Sequence, residues 1–359
     1  METLVIRSAQ GSYPVDFQDT LGHLVAELIG VSRGIVLIDK NVAVRYQGEL
    51  APLLSSLPTL EINATEEEKT LDGCARALTF FQSANATRQT QVIAIGGGIV
   101  QDIATFCTHV YYRGLKWIYV PTTLLGMSDS CIGAKASINF NRYKNQLGVF
   151  HSPSGVRICL GFLGSLPESE IRSGYGEIVK LHIAGSATLF ADLARTLDAE
   201  GFHNARTGEL IRASLEVKKR VIEIDEFDNG LRQTLNYGHT FGHALEAITH
   251  HAIPHGLAVA WGLDLVNYLA CRMGMFAHSD LDEIHALLKK HFAWRLPAPI
   301  DPAALIAATR RDKKVKNGKL TLILPRAIGA LEIVPQDFTA ELEAAIGDYI
   351  RGQSIVTTT

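Results

Sequence analysis

The sequence lacks any apolar stretch long enough to cross a membrane. No uninterrupted run of apolar residues approaches the roughly 20 that a bilayer requires. The first residues, METLVIRSAQGSYPVDF, have no basic region followed by an apolar core, so they do not resemble a secretory signal. We therefore expect a cytoplasmic protein.

An excess of charge of one sign is also missing. Lysine and arginine number 34 against 37 aspartates and glutamates, which gives a formal net charge of -3. No basic field exists that would gather nucleic acid or an anionic membrane, and neither is expected as a partner. An anionic substrate must instead be held by local cations.

Cysteine is scarce and irregularly placed. The five cysteines are odd in number, widely scattered and free of CxxC or metal-finger spacing, which is typical of reduced thiols. Internal repeats and low-complexity segments are absent as well. The chain has 359 residues, 47% of them hydrophobic and 20% charged, a composition that fits one large or two medium globular domains.

The first 150 residues alternate short β-branched runs with helical patterns. A helical pattern with an acidic first turn, residues 66–84, lies among the runs. This rhythm predicts βαβ units and a mostly parallel α/β sheet in a nucleotide-binding domain at 1–151. The runs are GIVLID (34–39), LPTLEIN (57–63), QVIAIGGG (91–98) and KWIYVP (116–121).

From about residue 152 the pattern becomes helical, so 152–359 is predicted to be an all-α domain except for one hairpin at 319–334. A helix at 337–349 is predicted to follow the hairpin. The tail, 352–359, is expected to be frayed. A cleft between two such domains is a usual ligand site. The predicted long helices are 169–184, 208–224, 235–248 and 255–274.

Three consecutive glycines, 96–98, end an apolar strand and open a helix. Their backbone N–H groups can face a pyrophosphate at a helix N-terminus, although the pattern is not GxGxxG and a plain tight turn is an equal alternative. Asp39 ends the strand GIVLID. It could accept ribose hydroxyls or simply cap the following helix.

Four residues form the strongest candidate constellation: His239, His243, His255 and Glu177. The first two are i and i+4 on a helix, so their rings share one face and could bind a metal or substrate, although such a pair can also be purely structural. Glu177 lies among apolar helix residues, where a carboxylate needs a partner. A metal held by two histidines and one glutamate keeps positions open for substrate oxygens.

Basic residues recur around this constellation. A solvated face explains most of them, but it explains poorly Lys135 in CIGAKASIN and Lys180 in EIVKLHI, which have small and apolar neighbours. Fixed cations of this kind suit a phosphate and a second anionic group. The set is Arg113, Lys135, Lys144, Lys180, Lys218, Arg232, Lys313 and Lys314.

Together these motifs resemble the 3-dehydroquinate synthase family over nearly the whole chain. The resemblance implies an NAD domain and a helical metal domain with the active site between them, usually in a homodimer. It also implies NAD and a divalent metal, Zn2+ or Co2+, as cofactors. The matching blocks are GGGIVQD, YYRGLKWIYVPTTLL, SDSCIGAKASIN, YKNQLGVFHSP, GEIVK, GLRQTLNYGHTFGHALE, HGLAVAWG and RDKKVKNGKLTLILPRAIG.

By matching position, the resemblance assigns a role to each site residue. The metal ligands would be Glu177, His239 and His255, with His243 on the substrate rather than on the metal. NAD would be bound by Asp39, Asn41, Glu66, Lys69, Gly97, Gly98, Asp102, Thr122, Thr123, Lys144, Ser165 and Leu166. Substrate would contact Asp129, Lys135, Asn145, Lys180, Lys218, Arg232, Asn236, His243, Lys313 or Lys314, and Arg113 of the partner subunit.

The implied reaction is a sugar-phosphate cyclisation. A substrate hydroxyl is oxidised, phosphate leaves by β-elimination, the hydride returns, and the opened ring closes by an intramolecular aldol addition, so NAD is not consumed. The family's cyclases of sedoheptulose 7-phosphate typically have an acid at the position of Arg232 and a proline at that of His243. This chain keeps both basic residues, which favours 3-deoxy-D-arabino-heptulosonate 7-phosphate, a substrate with a carboxylate.

Some positions depart from the family pattern. Leu257 replaces a usual glutamate, Gln101 a usual glycine, and Asp228 a longer glutamate, while FNRYKN looks more like the sedoheptulose 7-phosphate cyclases. A cyclase of that second kind, in secondary metabolism, is therefore the main alternative. A metal-dependent alcohol or glycerol dehydrogenase and a binding protein on an inactive cyclase scaffold are more distant ones.

Overall fold

The computed structural model describes residues 2–141, 143–311, 315–316 and 319–358. The chain divides into two compact units. Unit 1 comprises Met1–Pro167 and Ile222–Phe227, and unit 2 comprises Glu168–Val221 and Asp228–Thr359. The division after Pro167 differs from the predicted boundary at 151, because a further strand, Gly155–Cys159, joins the sheet of unit 1.

Unit 1 has an α/β architecture. Short 3-10 helices cover Tyr111–Arg113 and Leu160–Ser165, and a π-helical turn covers Gly126–Ser130. Its strands are β1 (Leu4–Ile6), β2 (Tyr13–Gln18), β3 (Gly34–Asp39), β4 (Thr59–Ile62), β5 (Gln91–Gly96), β6 (Lys116–Pro121), β7 (Lys135–Phe140), β8 (Tyr143–Phe150) and β9 (Gly155–Cys159). Its helices are α1 (Leu21–Ile29), α2 (Lys40–Arg45), α3 (Gln47–Ser56), α4 (Leu71–Ser83) and α5 (Gly98–Val110).

The central sheet of unit 1 has the strand order β1-β2-β9-β6-β5-β3-β4, and every pair except β1/β2 is parallel. The predicted parallel sheet is thus confirmed. The chain runs outward from β3 to β4 and then returns to place β5 on the other side of β3. The carboxyl ends of β3 and β5 therefore flank a topological switch point, where open α/β sheets bind ligands.

Unit 2 is mostly helical. A 3-10 helix covers Leu231–Asn236. Its α-helices are α6 (Glu168–Gly185), α7 (Ala187–Glu200), α8 (Thr207–Ile222), α9 (His239–Ile248), α10 (His255–Arg272), α11 (His278–Phe292), α12 (Pro302–Arg310) and α13 (Ala340–Gly352). Its strands are β10 (Trp294–Leu296), β11 (Val315–Lys316), β12 (Lys319–Ala327), β13 (Ala330–Gln336) and β14 (Val356–Thr358).

Helix α10 forms the centre of unit 2. All of its residues from Gly256 to Cys271 are buried, and α6, α9, α11 and α13 pack against it. The predicted hairpin at 319–334 is present as β12 and β13, which pair in antiparallel fashion. A helix that is apolar on all sides is suited to such a central position.

Two local predictions in unit 2 are wrong. Residues 235–238 do not belong to an α-helix, because the 3-10 helix ends at Asn236 and Gly238 has a left-handed φ of 77° before α9 begins. The tail is not frayed either. Strand β14 pairs in parallel with β10, and Ile355 and Val356 are buried, since their apolar side chains complete the edge of the core.

Among the helices that the structure describes, none combines the length and the apolar character that crossing a bilayer requires.

Candidate active site

Three helices of unit 2 bring the predicted metal ligands together. Glu177 lies in the middle of α6, while His239 and His255 are the first residues of α9 and α10. The Oε1 atom of Glu177 is 3.3 Å from Nε2 of His239 and 3.2 Å from Nε2 of His255. One carboxylate oxygen and two imidazole nitrogens therefore converge on a single point.

Close helix packing accounts for this convergence. A Cβ atom on Gly176 would lie 2.1 Å from the carbonyl oxygen of Gly256, so only glycine lets α6 and α10 approach this closely. These two glycines adjoin Glu177 and His255 in sequence. Contact between the two backbones thus sets the separation of the two ligand side chains.

The ring orientation of both histidines is fixed by contacts at Nδ1, the nitrogen that faces away from Glu177. The Nδ1 atom of His239 lies 3.1 Å from the carbonyl oxygen of Tyr237, to which it can only donate. The Nδ1 atom of His255 lies 3.2 Å from both carboxylate oxygens of Glu246. Because Nδ1 is held in this way in each ring, Nε2 is the nitrogen directed at Glu177 and the one that a metal would bind.

The buried charges of this region also favour a cation. Burial alone would raise the pKa of Glu177, but Lys180 and His239 outweigh it and hold that pKa well below its usual range. Burial lowers the pKa of His239, although the neighbouring Glu177 carboxylate opposes this effect. Burial opposes protonation of His255 too, but hydrogen bonds to Glu177 and Glu246 raise its pKa to about 10. In the absence of a metal, a proton on His255 offsets the charges of the two carboxylates.

His243 belongs to the same cluster but is more exposed. Its ligand nitrogen and those of His239 and His255 all lie within 4.8 Å of one another. A tetrahedral zinc with bonds of about 2.0–2.1 Å places any two ligand atoms about 3.3 Å apart. The two distances from Glu177 match this separation, and the oxygen and nitrogen donors suit zinc or cobalt. The donor set therefore fits a divalent metal.

Among the described residues of unit 2, the three predicted cations are buried. Lys180 is 2% exposed, and its Nζ atom lies 2.5 Å from Oε2 of Glu177. Lys218 and Arg232 are each 7% exposed, and Asn236 is half-buried at the end of the 3-10 helix. Lys313 and Lys314 lie outside the described residues.

In unit 1, Lys69 is the centre of a polar network. Its Nζ atom donates to Asp102 at 3.1 Å and to Asn145 at 2.9 Å, and lies 3.6 Å from Glu66. Burial raises the pKa of Asp102 to about 6 although Lys69 opposes the rise. The network joins three predicted cofactor residues to Asn145, a predicted substrate residue, through side chains from three different segments of the chain.

The glycine turn forms as predicted between β5 and α5, with Gly97 as N-cap of the helix. Its neighbours are predicted cofactor residues. The backbone N–H of Thr122 donates to the Gly96 carbonyl at 3.1 Å, and a Cβ atom on Gly97 would lie 3.0 Å from the Thr123 side chain. These residues lie at the carboxyl edge of the parallel sheet.

Asp39 stands beside the same turn, because a Cβ atom on Gly96 would lie 3.3 Å from the Asp39 Cβ. Its Oδ1 atom accepts a hydrogen bond from the backbone N–H of Asn41 at 2.8 Å. The helix-cap interpretation of Asp39 is therefore confirmed.

Asp129 is carried by the π-helical turn Gly126–Ser130. Gln101 and Ser130 fix this turn through two hydrogen bonds of 2.6 Å, one from Gln101 Nε2 to the Ser130 carbonyl and one from Ser130 Oγ to Gln101 Oε1. Gln101 is buried. A π-helical turn next to a reacting group is a frequent feature of functional sites.

The remaining predicted residues of unit 1 lie at its surface. Lys135 is exposed at the start of β7 although Ala136 beside it is buried, since neighbouring strand residues face opposite sides. The prediction that Lys135 has an apolar environment is therefore wrong. Lys144 is exposed, and so is Arg113, whose φ of 64° belongs to a tight turn. Ser165 and Leu166 are half-buried after β9.

Two features of the site had no prediction from the sequence. Glu246 ends one of the matching blocks, and the sequence predicts no role for it, although its spacing of seven residues from His239 places both on one face of α9. The glycines that adjoin Glu177 and His255 were also missed. A glycine next to each candidate ligand was the signal that could have revealed the close packing.

Comparison with known proteins places this arrangement in a class. A solved 2-deoxy-scyllo-inosose synthase, in complex with carbaglucose-6-phosphate, NAD+ and Co2+, has the same fold, with a TM-score of 0.86 and 23% identity over 98% of this chain and 100% of that one. The 2-epi-5-epi-valiolone synthase from Streptomyces hygroscopicus subsp. jinggangensis 5008, solved with NAD+ and Zn2+, has a TM-score of 0.82 and 26% sequence identity. The match covers 94% of this chain and 96% of that one. The fold is that of the sugar-phosphate cyclases.

Sequence comparison then identifies the family. The 3-dehydroquinate synthase N-terminal domain matches residues 59–173, and the C-terminal domain matches residues 174–315. The 3-dehydroquinate synthase of Pelotomaculum thermopropionicum is 35% identical over 98% of this chain and 99% of its own length. The chain belongs to the 3-dehydroquinate synthase family and is an enzyme, a phosphate-eliminating cyclase.

Proposed function

We propose that the chain converts 3-deoxy-D-arabino-heptulosonate 7-phosphate to 3-dehydroquinate and phosphate, with NAD and a divalent metal as cofactors. The contact that carries the proposal joins Lys180 to Glu177 at 2.5 Å. It fixes a buried cation beside the converging ligand atoms, which an anionic substrate needs and a neutral polyol does not. The names of the 35% identical relatives support the same activity.

The metal is assigned to Glu177, His239 and His255. When bound it would act as a Lewis acid that polarises a substrate hydroxyl. The chain contributes the orientation of the ligands, because the Tyr237 carbonyl and the Glu246 carboxylate hold the two Nδ1–H groups. His243, the most exposed of the three histidines, is assigned to a substrate hydroxyl.

NAD is assigned to unit 1. When bound it would take a hydride from the substrate and later return it. The glycine turn leaves backbone N–H groups accessible at the start of α5, and Asp39 lies beside the turn. The proposed residues are Asp39, Asn41, Glu66, Lys69, Gly97, Gly98, Asp102, Thr122, Thr123, Lys144, Ser165 and Leu166.

The substrate's two anionic groups require fixed cations. Lys218 and Arg232 are assigned to the carboxylate, since guanidinium binds it in a bidentate manner and both side chains are buried. Asp129 is assigned to orienting the oxidised hydroxyl. Further proposed contacts are Lys135, Asn145, Lys180, Asn236, His243, Lys314 and Arg113 of a partner subunit. The homodimer and the cytoplasmic location remain predictions.

A second candidate is a cyclase of sedoheptulose 7-phosphate. The 26% identity to a valiolone synthase over 94% of this chain favours it. Such a substrate has no carboxylate, however, so the bidentate contact proposed for Arg232 could not form with it. The two candidates therefore differ in which sugar phosphate the enzyme converts, and this can be measured.

Phosphate release decides among the candidates. The enzyme, with NAD+ and added Zn2+ or Co2+, is given each of the two sugar phosphates in turn while absorbance at the NADH wavelength is followed. The proposal expects phosphate from the heptulosonate substrate without net NADH. Activity with sedoheptulose 7-phosphate alone would overturn the substrate. Net NADH with a simple polyol would indicate a dehydrogenase instead.

A further inference from the structure

The two ring nitrogens of His255 face two different carboxylates. Nε2 lies 3.2 Å from Oε1 of Glu177, and Nδ1 lies 3.2 Å from both oxygens of Glu246. Glu177 is among the proposed metal ligands, whereas Glu246 belongs to none of the ligand sets proposed above. The ring is thus held between a ligand on one side and a carboxylate on the other.

Glu246 is well placed to hold this ring still. It lies on α9, and His239 lies seven residues earlier on the same helix, so both face the same side. The Glu246 side chain is only 13% exposed. Another basic side chain near it is His251, whose Nδ1 is 4.0 Å from Oε1 of Glu246 and which is half exposed. The contact to His255 is the shorter and more buried of the two.

The residues next to His255 in the sequence carry no polar side chain. Its immediate neighbours are Pro254 and Gly256, and Leu257 is fully buried. The partner of Nδ1 therefore comes from α9. The same helix begins with His239, so α9 supplies one proposed ligand and the orienting group of another.

We propose that Glu246 is a positioning residue that fixes His255 with Nδ1 protonated and Nε2 directed at the metal. The inference rests on the proposed function, since it presupposes a metal at Glu177, His239 and His255. A carboxylate acceptor behind a metal-bound imidazole fixes the tautomer and strengthens the ligand. His239 obtains the same restraint from a backbone carbonyl, so Glu246 is where a side-chain substitution can test it.

The test compares metal binding by the parent enzyme with binding by Glu246→Gln, Glu246→Asp and the control Glu283→Gln. Glu283 is exposed on α11, so its variant removes the same charge away from the cluster. Zn2+ affinity is measured by competition with a chelator, and the coordination of Co2+ by its visible absorption. Loss of such a partner typically weakens metal binding about 10- to 100-fold.

We expect Glu246→Gln to bind Zn2+ about 10- to 100-fold more weakly than the parent and to change the Co2+ absorption spectrum. At saturating metal, the variant should lower kcat more than it changes KM. Glu246→Asp, whose carboxylate is one methylene shorter, should fall between it and the parent, and Glu283→Gln should match the parent. Parent-like affinity in both Glu246 variants would overturn the inference alone. A parent that binds neither metal would overturn the proposed function as well.

Discussion

Gly176 lies so close to Gly256 that a Cβ atom on Gly176 would be 2.1 Å from the Gly256 carbonyl oxygen. Because Glu177 and His255 follow and precede these glycines directly, the backbone contact determines how near the carboxylate and the imidazole can be. The candidate metal centre is therefore a consequence of how α6 and α10 pack. Gly176 and Gly256 are not proposed ligands, but their contact determines the distance between two of the ligands.

Gly176→Ala should damage both stability and metal binding. The added methyl group must push α6 away from α10, which we expect to cost about 3 kcal/mol in the free energy of unfolding and to weaken Zn2+ binding. Urea unfolding and chelator competition measure the two effects. Gly48→Ala is the control, since a Cβ atom there meets nothing within 4 Å and alanine favours helix α3. Equal behaviour of the two variants would refute the packing argument.

Gln101 and Ser130 should behave as one unit. Their two hydrogen bonds of 2.6 Å hold the turn that carries Asp129. Gln101→Ala and Ser130→Ala should each destabilise the protein by about 1–3 kcal/mol and lower kcat. Combining them should cost clearly less than the sum of the two changes. Additive costs would show that the paired hydrogen bonds do not act together.

Arg232→Ala should discriminate between substrates. If the buried guanidinium binds the substrate carboxylate, its loss costs about 2–5 kcal/mol of transition-state binding, or roughly 30- to 5000-fold in kcat/KM for the heptulosonate substrate. Steady-state phosphate release measures it. Arg220→Ala, an exposed position on α8, should leave kcat/KM unchanged. A loss below threefold in Arg232→Ala would remove the residue from the site.

His182 should make the apoprotein sensitive to acid. Burial lowers the pKa of His182 from 6.5 to about 4, and its Nδ1–H donates to the Ile178 carbonyl at 2.8 Å. The unfolded chain binds the proton more readily, so stability falls as the pH drops from 6.5 toward 4 and is fully retained above 6.5. The contribution is about 3 kcal/mol over that window.

His182→Asn is the matched variant for this pH effect, because it keeps a donor near the Ile178 carbonyl and cannot titrate. Urea unfolding midpoints of both chelator-treated proteins are measured between pH 4 and 7. The parent's unfolding free energy should decline by about 3 kcal/mol more than that of the variant. Parallel pH dependences would show that His182 keeps an ordinary pKa.

Much of the fold could be predicted because its pattern is local. The runs 34–39 and 116–121 became β3 and β6 at the predicted boundaries, since strands buried on both faces are apolar throughout. The tail could not be predicted in this way. Its strand β14 depends on pairing with β10 about 60 residues earlier in the chain, and no local pattern encodes such a long-range contact.

The candidate site was predictable to the extent that its chemistry lies in residue types. Two histidines one helical turn apart and a carboxylate among apolar residues indicated a metal, and Glu177, His239 and His255 do converge. The environment of Lys135 was not predictable, because apolar sequence neighbours say nothing about the opposite face of a strand. The role of Glu246 required the packing of α9 against α10.

A crystal structure of the enzyme grown with Zn2+, with the ion located by anomalous scattering, tests the central claim most directly. The account predicts one ion bound by Oε1 of Glu177 and by Nε2 of His239 and His255, each at about 2.0–2.2 Å, with His243 unbound. An ion held by His239, His243 and His255 without Glu177, or no ion in this cluster, would contradict it.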